Sequence, residues 1–141
     1  MSDEKFRLLI EAGDLQGLKD ALESDPELAN QSVGWFLNQR NDSDPLHYVC
    51  DCVFNDWLDD ARASKIAALL IENGALIEGT KGRESPLIAA TSLGTEGVAK
   101  LLIDSGANLE ATAVFGARPL HWAASVGLPS TVERLIQHGA E

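Results

Sequence analysis

The sequence of 141 residues predicts an all-α solenoid of stacked helix-turn-helix units, with hairpin or loop fingers between the units. Two observations support this fold class. Pro86 and Pro119 lie 33 positions apart, and so do Gly106 and Gly139; a fixed period of this length is the signature of a repeat array. Within each unit, apolar residues recur at helical spacing and end at a glycine suited to a left-handed cap.

Each unit opens with a proline-led motif and closes with a Gly-Ala pair. The opening motif reads DPLHYVC at 44–50, SPLIAAT at 85–91 and RPLHWAA at 118–124, and the closing motif reads LIENGA at 70–75, LIDSGA at 102–107 and LIQHGA at 135–140. These motifs resemble the T-P-L-H-x-A-A and L-L-x-x-G-A patterns of the ankyrin repeat. The resemblance implies one domain over 1–141, with repeats at approximately 3–33, 42–78, 82–111 and 116–141.

The residues that recur in these motifs have structural roles in that family. The resemblance implies that His47 and His121 hydrogen-bond to backbone and brace the turns of their own repeats, rather than acting as bases. It assigns structural turn roles in the same way to the opening prolines and closing glycines, which are Pro45, Pro86, Pro119, Gly74, Gly106 and Gly139.

The first repeat is expected to be an atypical terminal unit. Apolar residues recur at helical spacing on both sides of Gly13 and Asp14, which separate two predicted helices. Asp3 is the expected N-cap of the first of them. The slot of the opening proline falls on Lys5, so the Pro-Leu-His turn is missing, as is common in terminal repeats.

The first finger is enlarged. Seven residues beyond the period lie between Asn30 and Asp44, where the family places a two-stranded hairpin, and Trp35, Phe36 and Leu37 follow one another there. These three residues either fold down over the helices beneath or anchor a partner, since Trp is enriched at interface hot spots. In the second case, Trp35→Ala and Phe36→Ala would abolish binding and leave thermal stability nearly unchanged.

Repeat two contains an insertion between its helices. The opening proline and the closing glycine are 29 positions apart in this repeat and 20 in the next two. The apolar rhythm reaches Trp57, which predicts a first helix about one turn longer, ending near Asp56 or Leu58. Asp59 or Asp60 then caps the second helix. The local pattern lacks the alternating oxygens and glycine of a calcium loop, so these carboxylates are interpreted as caps or solvated groups.

The last repeat carries a polar second helix. Arg134 occupies the position of Leu69 and Leu101 in the two preceding repeats, which is typical of a C-terminal capping unit. A chain that is the N-terminal ankyrin part of a longer protein stays an alternative.

The charge narrows the choice of partners. A net charge of −11 disfavours nucleic acid and anionic membranes and favours a basic partner. The sequence contains neither a secretory signal pattern nor an apolar run long enough to span a bilayer, so we expect a cytoplasmic protein. Cys50 and Cys52 point in different directions on one helix and lack further ligands nearby, so neither a mutual disulfide nor a zinc site is expected.

The sequence favours binding over catalysis. It lacks the G-x-S-x-G, Walker, H-E-x-x-H and G-x-G-x-x-G motifs, and we expect no enzymatic activity, cofactor or metal. Ankyrin arrays bind through their finger tips and the exposed sides of their first helices, which line a concave groove. The resemblance therefore implies partner contacts by Trp35, Phe36, Asp51, Lys81, Arg83, Ser92, Leu93, Val114, Phe115, Ser125 and Val126.

The expected function is that of a monomeric module that binds another protein or a peptide. One alternative is an acidic inhibitor or immunity-type protein that neutralises a basic toxin or enzyme, and another is the regulatory ankyrin part mentioned above. At the third finger, Phe115 either contacts the partner or packs on the neighbouring finger.

Overall fold

The computed structural model describes the backbone of residues 1–141 and every side chain apart from that of Val114. Within this range, eight α-helices form four consecutive pairs, and one two-stranded sheet precedes the second pair. The helices are α1 (Asp3–Ala12), α2 (Leu15–Ser24), α3 (Pro45–Phe54), α4 (Asp60–Glu72), α5 (Pro86–Ser92), α6 (Glu96–Asp104), α7 (Pro119–Val126) and α8 (Pro129–Gln137), and the strands are β1 (Val33–Phe36) and β2 (Arg40–Ser43). Short 3-10 helices cover Pro26–Asn30 and Val114–Gly116.

Helices of equivalent position stack along the array. The first helices α3, α5 and α7 pack on one another in order, and the second helices α4, α6 and α8 do the same. Each opening proline occupies the first turn of its helix, where its missing N–H costs nothing. The closing glycines all have positive φ, between +88° and +95°, and let the chain leave the second helix. The all-α repeat solenoid is therefore confirmed.

A continuous apolar seam holds the pairs together. Leu70, Leu102 and Leu135 are fully buried at equivalent positions of the second helices. On the first helices the seam uses small residues such as Ala90 and Ala123, also fully buried, which let neighbouring units approach closely. These residues belong to one continuous apolar core, and a single repeat of this kind cannot bury its apolar face alone.

Carboxylates tie each unit to the next one through backbone N–H groups. Asp44 accepts hydrogen bonds from the N–H and the hydroxyl of Thr80, at 2.7 and 2.6 Å. Glu78 accepts from the N–H of Asn108 at 2.8 Å, and Glu110 accepts from the N–H of Glu141 at 3.1 Å. These contacts fix the bases of the fingers, so the finger positions are set by the stack.

The first helix is capped one residue earlier than expected. Ser2, rather than Asp3, is the N-cap of α1, and its hydroxyl accepts from the N–H of Lys5 at 3.2 Å. Asp3 lies inside the first turn, and its carboxylate accepts from the N–H of Gly34 in β1 at 3.2 Å. The side chain is thus used to hold the first finger against α1.

The first finger is the expected two-stranded hairpin. β1 and β2 pair antiparallel, with Val33 opposite Ser43 and Phe36 opposite Arg40. Successive side chains of a strand point to opposite faces, so Trp35 points inward and is only 8% exposed, whereas Phe36 is 68% exposed. Of the two alternatives for these residues, Trp35 folds down on the helices, whereas Phe36 and Leu37 stay exposed.

The insertion of repeat two is shared between both helices and the turn between them. α3 has 10 residues against 7 in α5, and α4 has 13 against 9 in α6. The expected lengthening of α3 is confirmed, but the helix ends at Phe54, earlier than predicted, because Asp56 adopts a left-handed conformation with φ of +62°. The cap is confirmed at Asp59, whose carboxylate accepts from the N–H of Arg62 at 2.6 Å.

Candidate partner-binding face

The fingers and the exposed sides of the first helices form one surface, called here the inner face. Its fingers are the β1–β2 hairpin (the first finger), residues 76–85 (the second finger) and residues 108–118 (the third finger). Asp51, Ser92 and Ser125 follow their opening prolines at the same distance in α3, α5 and α7, so they form a row across this face.

The inner face contains a cavity of about 410 Å³ between the first finger, α3 and the second finger. Three of the residues predicted to bind a partner, Trp35, Asp51 and Arg83, lie in its wall. The complete lining is Trp35, Asn41, Asp42, Ser43, Asp44, His47, Asp51, Arg83 and Glu84. The cavity thus brings together residues from two repeats, and we call it the repeat-two cavity.

Two of its carboxylates are held by bonds within the protein. Asp44 is bound by Thr80 and by the guanidinium of Arg83, whose Nη1 lies 3.2 Å from Oδ1. Asp51 lies 3.0 Å from Nδ1 of His47 and accepts from the hydroxyl of Ser43 at 3.4 Å. These two groups shape the floor of the cavity.

The other two carboxylates are half exposed at the rim. Glu84 lies 3.5 Å from Nε2 of His47, and Asp42 lies 3.0 Å from the guanidinium of Arg40. The Asp42–Arg40 pair is exposed and contributes little to stability, whereas Glu84 pairs with a mostly buried His47 but keeps its own carboxylate 40% exposed. Asp42 and Glu84 are therefore the carboxylates of the cavity that a ligand can reach.

His47 differs from the role that the repeat motif implies. Its ring does not bond to the backbone of its own turn but bridges Asp51 on α3 and Glu84 on the second finger. Burial of the imidazole lowers its pKa, but the hydrogen bonds to Asp51 and Glu84 and their negative charges outweigh burial and raise the pKa to about 9. His47 is thus a cation at neutral pH.

His121 keeps the arrangement that the motif implies. Its Nδ1 accepts a hydrogen bond from the N–H of Arg118 at 3.0 Å, which closes the turn before α7. The two histidines diverge because Asp51 lies one helical turn after His47, whereas Ser125 occupies that place after His121. The i, i+4 spacing of His47 and Asp51 was the sequence signal that could have predicted their contact.

The insertion of repeat two adds aromatic surface beside the cavity. His47, Asp51 and Phe54 follow one face of α3, and Phe54 is 64% exposed. Trp57 lies outside the helix in which its spacing had placed it, and it is 40% exposed. Its ring packs edge-on against Trp35, which lines the cavity, with 6.3 Å between the ring centroids. Sequence periodicity placed Trp57 in the apolar rhythm of the helix, did not single out Phe54, and left open whether the insertion binds or packs.

The remaining predicted contacts are distributed along the inner face. Lys81 and Arg83 are exposed on the second finger, Ser92 and Leu93 are half-buried, and Ser125 and Val126 are exposed. Phe115 is fully exposed on the third finger, so it does not pack on a neighbouring finger. The side chain of Val114 lies outside the described residues.

Three further observations on the described residues concern metal binding, membrane crossing and the cysteines. Among them, no group of three His, Cys, Asp or Glu side chains is arranged to hold a metal ion. None of the helices in the described backbone combines the length and the apolar character that a bilayer crossing requires. Cys50 and Cys52 are both buried in α3 and contribute nothing to the inner face.

Stacked helix pairs with an exposed row of fingers define a repeat scaffold whose outward side chains are free to contact another molecule. A family model described as ankyrin repeats, in three copies, matches residues 58–141. The match covers more than half of the chain, and the protein belongs to the ankyrin-repeat family. Comparison with curated proteins gives no match. Ankyrin repeats are generally protein–protein interaction modules.

The family match begins inside the insertion of repeat two. The first finger, α3 and the cavity residues before position 58 therefore lie outside it. In this part of the chain the structure shows helix pairs that continue the stack, joined by a longer finger and a longer turn. Most of the cavity lining thus comes from a segment outside the family match.

Proposed function

We propose that this protein is a monomeric, non-enzymatic binding module that holds a partner protein across its inner face, with the first finger and the repeat-two cavity at the centre of the contact. The observation that carries the proposal is the position of the two departures from the repeat pattern. The enlarged first finger exposes Phe36, and the insertion exposes Phe54 and Trp57, of which Trp57 packs against the cavity residue Trp35.

Stacking does not require these additions. Repeats three and four pack through α5–α8 without an enlarged finger or an insertion. Exposed aromatic side chains carry a solvation cost in a free protein and are enriched at the centres of interfaces. Their concentration in the two segments that depart from the repeat pattern supports binding as their purpose.

Charge supports a basic partner. The chain carries a net charge of −11, and four carboxylates line the cavity against His47 and Arg83. A positively charged partner is attracted over a distance and oriented before contact. The same observation favours a second, narrower candidate, in which the module neutralises a basic toxin or enzyme as an inhibitor or immunity-type protein.

The test begins with capture of a partner from the native cell extract by the immobilised full chain, followed by purification of that partner. Its Kd is then measured for the wild type and for Phe36→Ala and Phe115→Ala. The matched control is Ile136→Ala, an exposed apolar residue on α8. We expect weaker binding for the finger variants and an unchanged Kd for the control. Equal Kd values for all four proteins would contradict the proposal.

The narrower candidate needs its own measurement. An inhibitor must abolish the activity of the captured protein at a stoichiometry of one to one. If the purified partner is an enzyme or toxin and stays active at saturating concentrations of the module, inhibition is excluded and simple binding remains.

A further inference from the structure

We infer that the repeat-two cavity selects one cationic side chain, lysine or arginine, from an extended segment of the partner, and that Phe54 and Trp57 receive an apolar side chain of the same segment. This inference rests on the proposed function and names the chemistry of the segment that the inner face recognises. We expect an extended peptide segment, rather than a folded surface, to occupy the cavity.

The charges in the cavity leave a place for one more cation. Asp44 and Asp51 are engaged by Arg83, Thr80 and His47, as described above. Asp42 has only an exposed pair with Arg40, and the carboxylate of Glu84 stays exposed at the rim beside its contact with His47. Carboxylates that accept from an ammonium or a guanidinium form the stronger class of hydrogen bond. A ligand cation between these two groups would balance the local excess of negative charge.

The wall of the cavity suits the long apolar stem of such a side chain. Trp35 lines it, and the indole N–H is already donated to the hydroxyl of Ser43 at 3.0 Å. The ring therefore offers carbon surface rather than a free donor. Lysine and arginine bury their methylene stems against such surface while the charge stays hydrated or paired.

The volume limits what can enter. A cavity of about 410 Å³ lies near the lower end of ordinary ligand pockets, which span about 300–1,000 Å³. It lies between two fingers, so a helix or a folded surface cannot reach its floor as easily as a single projecting side chain. An extended segment across the fingers can place one side chain inside and the next ones along α3.

The aromatic pair continues the site along the insertion. Phe54 follows Asp51 on the same helical face, and Trp57 contacts the indole that walls the cavity. An apolar side chain close in sequence to the cation would cover this exposed surface. A second copy of this chain is a poor occupant, because it would bring another net charge of −11 to a cavity rimmed with carboxylates.

The experiment is selection of binders to the purified full chain from a random peptide display library. We expect the enriched peptides to share a lysine or arginine close to an aromatic or aliphatic residue. A synthetic peptide from this set is then titrated, beside a version with glutamine in place of the basic residue. The glutamine version should bind at least about tenfold more weakly, as the loss of a charge-assisted bond implies.

Variants of the chain test the assignment of the site. Glu84→Gln and Phe54→Ala should each weaken binding of the basic peptide by about tenfold, whereas His47→Gln should tighten it several-fold, since it removes a competing positive charge. The matched controls are Glu72→Gln and Ile136→Ala, both exposed away from the cavity. Thermal melts establish that every variant is folded.

Three results would overturn the inference. They are enrichment of peptides without a basic residue, binding that Glu84→Gln leaves unchanged, and a selection that enriches no peptide. If a captured partner still depends on Phe36 and Phe115 in any of these cases, the proposed function stands and only the selectivity of the cavity is wrong. If no such partner exists either, both proposals fail.

Discussion

Among single residues, His47 shows how neighbours override a motif. The ring occupies the histidine slot of the repeat, but Asp51 and Glu84 offer it two negative partners, and a charged imidazole between carboxylates is more favourable than a neutral one on the backbone. The partner on α3 could be read from the sequence spacing. Glu84 could not, because it comes from the next repeat and only folding brings it near.

The raised pKa of His47 has a consequence for stability. A group whose pKa rises from 6.5 to about 9 on folding binds its proton more tightly in the native state. Its contribution is therefore complete below pH 6.5 and is lost as the pH rises towards 9. We expect the stability difference between wild type and His47→Gln to shrink over this interval by on the order of 2 kcal/mol. Urea unfolding at pH 6, 7.5 and 9 measures this difference, and a value independent of pH would refute the account of His47.

Trp35 and Phe36 are adjacent in sequence but face opposite environments. Trp35→Ala should cost about 3–5 kcal/mol, because it empties a buried site against Tyr48 and Trp57. Phe36→Ala should change stability by no more than about 0.5 kcal/mol, since the ring is exposed. Chemical denaturation measures the free energy of unfolding of both variants and of the wild type. Equal losses would mean that the strand faces are assigned wrongly.

Between secondary-structure elements, close contact between α4 and α6 holds repeats two and three together. Asp60, at the start of α4, accepts from the N–H of Gly97 with both carboxylate oxygens, at 3.1 and 3.0 Å. The carboxylate therefore accepts from an N–H group that has no partner within α6. Its negative charge also interacts favourably with the positive N-terminal end of the α6 dipole. A Cβ at this position would overlap the hydroxyl of Ser64 and lie 3.0 Å from a carboxylate oxygen of Asp60, so these side chains would have to shift.

Gly97→Ala tests this contact. In an isolated helix, alanine is more favourable than glycine by about 1 kcal/mol. Here we expect a loss of about 1–3 kcal/mol, because the added methyl forces Ser64 or Asp60 to move. The double variant with Ser64→Ala should recover most of the loss. Denaturation of the single and double variants gives the coupling energy, and a stabilising Gly97→Ala would contradict the predicted clash with Ser64 and Asp60.

For the molecule as a whole, the sequence period was sufficient to predict the stack. Prolines and glycines at fixed positions predicted the turns because each acts through its own backbone conformation. The end of α3 could not be predicted, since apolar spacing continues to Trp57 and only the left-handed Asp56 ends the helix. The cavity could be predicted only in part: Asp51 and Arg83 were predicted as contacts, whereas Trp57 was assigned to the apolar rhythm of α3 and Phe54 was not singled out.

The net charge leads to a prediction at the same scale. Because the chain carries a net charge of −11, salt should screen its attraction to a basic partner. The association rate should therefore fall markedly between 50 mM and 500 mM salt, while the dissociation rate changes much less. Stopped-flow or surface-based kinetics with the purified partner measures both rates. Association rates that do not vary with salt would exclude electrostatic attraction as the source of partner choice.

Photo-crosslinking to the purified partner shows which face of the stack the partner covers. A benzophenone amino acid is placed at Phe54 on the inner face and, in a second protein, at Glu72 on α4. We expect the partner to be crosslinked from position 54 and not from position 72. Crosslinking from position 72 without any from position 54 would show that the partner binds the opposite side of the stack, and the account of the inner face would be wrong.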